Sequence, residues 1–125
     1  MGKPKVKKLI WLPDVAEANY LAAESYLLLL YPPGQVAELM GKFHAAALAR
    51  FKAKDIFRAS GLSLLGVSNS HVERDWEKIR AGVALSPILL VRDEARGRLV
   101  VADGYHRMCA VYRLDEDADI PCRIV

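Results

Sequence analysis

Cysteine is scarce in this sequence, and the patterns that give it a structural role are missing. The chain has two cysteines, Cys109 and Cys122. They are too far apart for a short metal-binding motif. Two cysteines are also too few for a disulfide framework, which has several pairs. The sequence therefore argues against a disulfide-stapled secreted domain and against a cysteine metal site, and we expect both thiols to be reduced.

Long apolar runs are also missing. The longest apolar stretch, around residues 15–31, is interrupted by Glu17, Asn19 and Glu24, which is incompatible with a membrane span. The lysine-rich start is followed by Pro13 and Asp14 before the apolar core of a signal peptide could develop. The sequence predicts a cytoplasmic protein with no membrane partner.

Charge of one sign does not dominate either, since 18 basic and 15 acidic residues give a net charge of +3. The basic and acidic clusters lie near opposite ends of the chain: Lys3, Lys5, Lys7 and Lys8 against Asp115, Glu116, Asp117 and Asp119. Lysine clusters can contact nucleic acid, but no aromatic residues are interleaved here. We interpret the lysines as a solvated terminus and predict no nucleic-acid partner.

The spacing of apolar residues changes along the chain. The first part has apolar residues three or four positions apart, typical of helices, whereas Ile88–Val91 is a continuous apolar run, typical of a strand covered on both faces. Asp14 and Glu17 form a capping-box pattern that predicts a helix start. In chain order we predict a strand over 6–12, helices over 15–30, 36–48, 53–59 and 71–80, strands over 87–91 and 99–102, a helix from the turn at 103–107 to about 114, and a strand over 120–125; the segment 62–67 is a strand or a buried connection.

These elements predict one α+β domain spanning residues 1–125, a length sufficient for a hydrophobic core. Residues 1–61 form its mainly helical part. Residues 62–125 form a small mixed sheet with helices, on which the N-terminal helices pack.

The stretch Asp103-Gly104-Tyr105-His106-Arg107 joins a predicted strand to a predicted helix. Free N–H groups at a helix start attract anions, and His106 and Arg107 add cationic side chains. Cations at this positive end of the helix dipole are unfavourable by about 0.3–1 kcal/mol each, and a bound anion reverses that sign. Two structural alternatives stay open: Asp103 is the N-cap, or Arg107 pairs with Asp103 or a distant carboxylate while His106 is neutral.

Four segments of the C-terminal half come in a recognisable order: a helix ending Ile79-Arg80-Ala81-Gly82, a strand with Pro87-Ile88, the turn Gly104-Tyr105-His106-Arg107, and a last strand opening Ile120-Pro121. In this order and spacing they resemble the ParB/sulfiredoxin-like fold. The resemblance implies that the turn at Gly104, Tyr105, His106 and Arg107 binds phosphate, as part of a nucleotide such as ATP, ADP or CTP with Mg²⁺.

Members of that family use the turn differently, and this sequence excludes one use. Sulfiredoxin chemistry requires a cysteine between the glycine and the histidine, where this chain has Tyr105, and a phenol cannot act as the sulfur nucleophile. The Asp103-Gly104-x-His106-Arg107 form is more similar to free serine kinases. Phosphoryl transfer needs a carboxylate that holds the metal or accepts a proton, so the resemblance makes Asp103 the candidate Mg²⁺ ligand and Asp103 and His106 the candidate catalytic residues.

A second side of the pocket is expected from the preceding helix. The family places a further phosphate-contacting segment there, and the residues available in this chain are Asn69, His71, Arg74 and Lys78. Each is also interpretable as a helix cap or as part of a solvated helix face.

The sequence leaves three functions open. The first is binding of a nucleotide or phosphorylated small molecule at Asp103–Arg107, with or without phosphoryl transfer or nucleotide hydrolysis. The second is a non-catalytic module whose helical half binds a protein partner or another copy of the chain. The third is a nucleic-acid-binding or nuclease-like domain.

Overall fold

The computed structural model describes residues 9–63 and 69–125. No helix within these residues has the length and apolarity needed to cross a bilayer. The described residues form, in chain order, α1 (Glu17–Leu27), α2 (Pro33–Ala45), β1 (Ala49–Lys52), α3 (Ala53–Ser60), α4 (Ser70–Arg80), β2 (Ile88–Asp93), β3 (Arg98–Asp103), α5 (Tyr105–Leu114) and β4 (Asp119–Ile124).

The four strands form one mixed sheet in the order β1-β4-β2-β3. The pairs β2–β3 and β1–β4 are antiparallel, and β2 and β4 are parallel. Helix α5 connects β3 to β4. The predicted α+β class and the mixed sheet are therefore confirmed.

Alternate residues of β2 serve two separate cores, one on each face of the sheet. Ile88 and Leu90 pack with α3, α4 and α5, whereas Leu89 and Val91 pack with α1 and α2. All four side chains are buried, which confirms the prediction of a strand covered on both faces. Full burial of each such side chain stabilises the fold by about 1.5–3 kcal/mol.

The first helix is shorter than predicted, and Asp14 is not its N-cap. Helix α1 begins at Glu17 after Ala16, which makes no side-chain cap. Asp14 instead accepts hydrogen bonds from the Val15 N–H and from Arg123. The helix starts late because the Val15 side chain is buried in the core and the Ala16 N–H donates to Ser86 Oγ at 3.0 Å, which ties this segment to the loop before β2.

The second helix also ends earlier than predicted, and a strand follows it. Helix α2 stops at Ala45 because Ala46 is extended, with ψ at 140°. The chain then enters β1, where Phe51 pairs with Ile120 of β4. This edge strand was not predicted, because three of its four residues are exposed and no alternation marks it.

The remaining predicted helices agree closely with the structure. Helix α3 ends at Gly61, whose φ of 65° is the left-handed conformation of a C-cap glycine. Helices α4 and α5 occupy the predicted ranges. Residues 64–67 of the predicted segment 62–67, residues 6–8 of the predicted strand over 6–12 and the lysine cluster lie outside the described residues; within 9–12, Trp11 forms one bridge with Leu85.

Candidate anion-binding site

Gly104 makes the turn from β3 into α5, and only glycine fits there. Its φ is 108°, a conformation that L side chains rarely adopt. A Cβ atom at this position would lie 2.2 Å from Ile88 Cγ2 and 2.7 Å from Ile88 Cβ. The turn therefore packs directly on β2, and it brings the start of α5 close to the sheet.

Helix α5 starts without a side-chain cap. Gly104 occupies the N-cap position, and the first hydrogen bond of the helix runs from the Met108 N–H to the Gly104 carbonyl at 2.9 Å. The N–H groups of Tyr105, His106 and Arg107 precede that bond and have no partner within the helix. The hypothesis that Asp103 is the N-cap is wrong, because its carboxylate turns to other donors.

The Asp103 carboxylate pairs with Arg107, one helical turn away. Arg107 Nη2 donates to Asp103 Oδ2 at 2.7 Å, and Asn19 Nδ2 of α1 donates to the same oxygen at 2.9 Å. The side chains of Arg107 and Asp103 are only 14% and 13% exposed. The ion pair that the sequence left as an alternative is thus present in the structure.

This ion pair does not use all the donors of Arg107. Nη2 also lies 3.5 Å from the Pro87 carbonyl, whereas Nε is buried and has no hydrogen-bond partner among the described residues. A buried N–H without a partner is unfavourable by about 1–3 kcal/mol. Arg107 therefore retains an unmet donor at the start of α5.

A cleft of about 480 Å³ opens beside the turn. The described residues that line it are Tyr26, Leu62, Ser63, Val101, Ala102, Asp103, Gly104, Tyr105 and His106. The Tyr105 hydroxyl donates to the Ser63 carbonyl, which fixes that ring across the cleft. Four residues of the predicted motif, Asp103 to His106, thus face one cavity of a size that small ligands occupy.

Helices α4 and α5 start side by side. The rings of His71 and His106 have centroids 4.8 Å apart, and further along the pair the Arg113 guanidinium lies 5.6 Å from the centroid of the Trp76 ring. Because early residues meet early residues and later residues meet later ones, the two helices run in the same direction. Their positive ends lie together, with the two imidazoles between them.

The other residues predicted for the second side are placed less directly. Asn69 is the N-cap of α4, where its side-chain oxygen accepts from the N–H groups of His71 at 3.0 Å and Val72 at 3.2 Å, as the helix-cap interpretation predicts. Arg74 is exposed. Lys78 is about half exposed, with Nζ 4.0 Å from Asp75. Of the predicted set, only His71 contacts a side chain of the turn.

Asp75 is a site residue that sequence reasoning missed. Its side chain is 14% exposed. Burial raises the pKa of its carboxyl, while the nearby charges of Arg107, Lys78 and His106 act in the opposite direction. Asp75 lies one helical turn after His71, and this spacing on the helix was the signal that could have placed both on the face toward α5.

His106 is electrostatically poised for an anion. Burial lowers the pKa of its imidazole, and the neighbouring His71 and Arg107 lower it further, whereas Asp75 opposes the shift. His106 is therefore neutral at pH 7. An anion bound beside it would favour the protonated imidazole and so raise its pKa.

The role of Asp103 as an Mg²⁺ ligand stays a prediction. Asp103 Oδ2 already accepts from two donors, one of them the Arg107 cation, so only Oδ1 would remain for a metal ion. Within residues 9–63 and 69–125, no three His, Cys, Asp or Glu side chains are placed to hold a metal ion by themselves.

Comparison of the chain with protein-family models, curated proteins and solved structures finds no match. The resemblance to the ParB/sulfiredoxin-like fold remains a prediction.

Proposed function

We propose that this protein binds a phosphate-bearing ligand, a nucleotide or a phosphorylated small molecule, at the turn Gly104–Arg107. The observation that carries the proposal is the meeting of two helix starts, α4 and α5, with His71 and His106 between them. Two positive helix ends at one place, next to a buried arginine, form a surface that an anion stabilises.

The turn offers hydrogen-bond donors of two kinds to such an anion. The N–H groups at the start of α5 have no side-chain cap, and they point out of the helix at its N-terminal end. The Arg107 Nε–H is buried and has no partner among the described residues, so it adds a charged donor when the guanidinium turns toward the cleft. Charge-assisted hydrogen bonds to a phosphate oxygen are about twice as strong as neutral ones.

The cleft allows the ligand to extend beyond its phosphate. A volume of about 480 Å³ lies within the range of small-molecule sites. Tyr26, from α1, lines this cleft with the β3 residues Val101 and Ala102. These side chains offer an aromatic ring and apolar surface to the remainder of a nucleotide.

Phosphoryl transfer or hydrolysis would additionally need a proton acceptor. His106 is the better candidate in the ligand-free site, because its lowered pKa there favours the neutral imidazole, which can accept a proton. Asp103 is less suitable since its Oδ2 already receives two hydrogen bonds. A cytoplasmic location, predicted from the sequence, fits a phosphorylated ligand and two cysteines that form no disulfide.

Thermal-shift titration tests this proposal. ATP, ADP, CTP and pyrophosphate, each with and without Mg²⁺, are added to the full chain. A ligand whose concentration is 100 times its Kd stabilises the folded state by about 2.7 kcal/mol. Arg107→Met should abolish the shift, whereas Arg113→Met, a matched loss of an arginine from the far end of α5, should retain it. No shift with any of these ligands would contradict the proposal.

The exposed face of α1 favours a second candidate, a protein-binding module. Leu21 is 60% exposed, and Ala18, Ala22 and Ser25 lie exposed along the same side of the helix. Just beyond the end of α1, Leu29 is 82% exposed. Exposed apolar stripes of this kind mark interaction surfaces. If this is the function, Leu21→Glu should abolish a self-association or partner complex measured by light scattering, while the nucleotide shift is absent.

A further inference from the structure

Helix α1 contributes one polar side chain to the turn, and that side chain is Asn19. The helix is otherwise apolar on the side that packs against β3, with Tyr20, Ala23 and Leu27 buried. The Asn19 amide is partly buried and donates to Asp103 Oδ2 at 2.9 Å, across 84 residues of sequence. Burying an amide group costs free energy unless the group is hydrogen-bonded. For Asn19, the hydrogen-bond partner is the carboxylate of Asp103.

The shape of the Asp103–Arg107 pair depends on this amide. An arginine and a carboxylate usually pair through two parallel hydrogen bonds. Here both donors, Arg107 Nη2 and Asn19 Nδ2, go to the single oxygen Oδ2, and Arg107 Nε is buried with no partner within residues 9–63 and 69–125. The amide thus holds the carboxylate in an orientation that satisfies only part of the guanidinium.

We infer that Asn19 is a positioning residue of the anion site: by holding Asp103 through Oδ2, it keeps this carboxylate from accepting the buried Arg107 Nε–H, which can then donate to a ligand when the guanidinium turns toward the cleft. This inference rests on the proposed function. Without the amide, the carboxylate is free to rotate and to accept from both Nε and Nη2. An Asp103–Arg107 pair with both of these hydrogen bonds would compete with the ligand for Arg107, and the affinity for the anion would fall. The N-terminal helical half is therefore part of the binding site.

The test combines a ligand measurement with a ligand-free one. Pyrophosphate affinity is measured by calorimetry for wild type, Asn19→Leu, Asp103→Asn and the double variant. The Arg107 Nε–H resonance is followed by NMR without ligand. Asn19→Ala serves as the second variant where leucine does not fit, and Ser25→Leu, on the exposed side of the same helix, is the matched control.

Asn19→Leu should weaken pyrophosphate binding at least fivefold, and it should slow hydrogen exchange of the Arg107 Nε–H at least fivefold as that group gains a partner. Because Asn19 acts through Asp103, adding Asn19→Leu to Asp103→Asn should change affinity less than twofold. Ser25→Leu should leave both readouts unchanged.

The outcomes separate the two proposals. Additive effects of Asn19→Leu and Asp103→Asn, or an Nε–H exchange rate unchanged in Asn19→Leu and Asn19→Ala, would overturn the positioning role. Absence of pyrophosphate binding in wild type would overturn the proposed function and with it the ligand-linked part of this inference. In that case a slowed Nε–H exchange would still support control of the Asp103–Arg107 pair by Asn19.

Discussion

His71 and His106 lie on different helices with their ring centroids 4.8 Å apart. Each ring belongs to the first turn of a helix, where a protonated imidazole is opposed by the helix dipole. This placement disfavours two charged histidines at one point unless an anion joins them. The pair is therefore the most direct reporter of whether the site binds an anion.

The stability of the protein should depend on the protonation of His106. Its pKa in the folded state is lowered, chiefly by burial and then by His71, while in the unfolded chain it is about 6.5. As the pH falls through about 6.5, the unfolded state takes up the proton first, so the free energy of unfolding decreases. Urea denaturation from pH 8 to pH 5 measures this loss.

His106→Gln should flatten that pH dependence, and His44→Gln, which removes an exposed histidine, is the control for losing any imidazole. Pyrophosphate should restore stability most strongly at the acid end, because the bound anion favours protonated His106. A pH profile identical in wild type and His106→Gln would contradict the assignment.

Gly104→Ala should be severely destabilising, by about 2–5 kcal/mol, because strain at positive φ adds to a clash in the core. The added methyl would lie 2.2 Å from Ile88 Cγ2. Gly61→Ala is the matched control, since Gly61 also has positive φ, 65°, but open space around a Cβ. Gly61→Ala should lower the free energy of unfolding by about 1 kcal/mol. Equal effects in chemical denaturation would show that packing on Ile88 is not tight.

Truncation of Leu27 should reduce the free energy of unfolding far more than truncation of Leu29, although the two residues are only two positions apart. Leu27 is completely buried between α1 and the sheet, whereas Leu29 is 82% exposed. Leu27→Ala should reduce the free energy of unfolding by about 2–5 kcal/mol, and Leu29→Ala should change it by no more than about 0.5 kcal/mol. A large effect at Leu29 would mean that this side chain is covered in solution.

The two cysteines should be unreactive in the native protein. Both are completely buried, and burial raises the pKa of the Cys122 thiol to about 11. Since the thiolate is the reactive form, a disulfide reagent at pH 8 should label neither residue until urea unfolds the chain. Rapid labelling of the folded protein at one of them, identified by Cys109→Ser, would contradict this arrangement.

The fold was predicted best where local pattern and burial coincide. The continuous apolar run predicted β2, and Gly61 predicted the end of α3. Each of these signals lies within a few residues of the element that it predicts. Strand β1 was missed because its conformation comes from pairing with β4, whose residues are far away in the sequence. The predicted start of α1 was wrong because the Val15 side chain is buried in the core, and this burial prevails over the capping pattern at Asp14.

The turn between β3 and α5 was predicted in its position, but the side chains that reach it from other helices were not. Asp103-Gly104 and His106-Arg107 mark the turn locally. Asn19 and Asp75 reach it from α1 and α4, and no spacing rule connects residues 84 positions apart, as Asn19 and Asp103 are. The predicted N-cap role of Asp103 was wrong because Arg107 and Asn19 both donate hydrogen bonds to its carboxylate.

The Asp103–Arg107 pair should be strongly coupled in stability. Arg107→Met leaves a largely buried carboxylate without its cation, and we expect a loss of about 3–5 kcal/mol in the free energy of unfolding. In Asp103→Leu/Arg107→Met both charges are gone, so most of that loss should be recovered. The exposed Arg58–Asp55 pair, also within one helical turn, is the control: Arg58→Met should change stability by about 0.5 kcal/mol or less. Additive losses at Asp103 and Arg107 in urea denaturation would show that the two charges do not depend on each other, and that Arg107 is held by the fold rather than by Asp103.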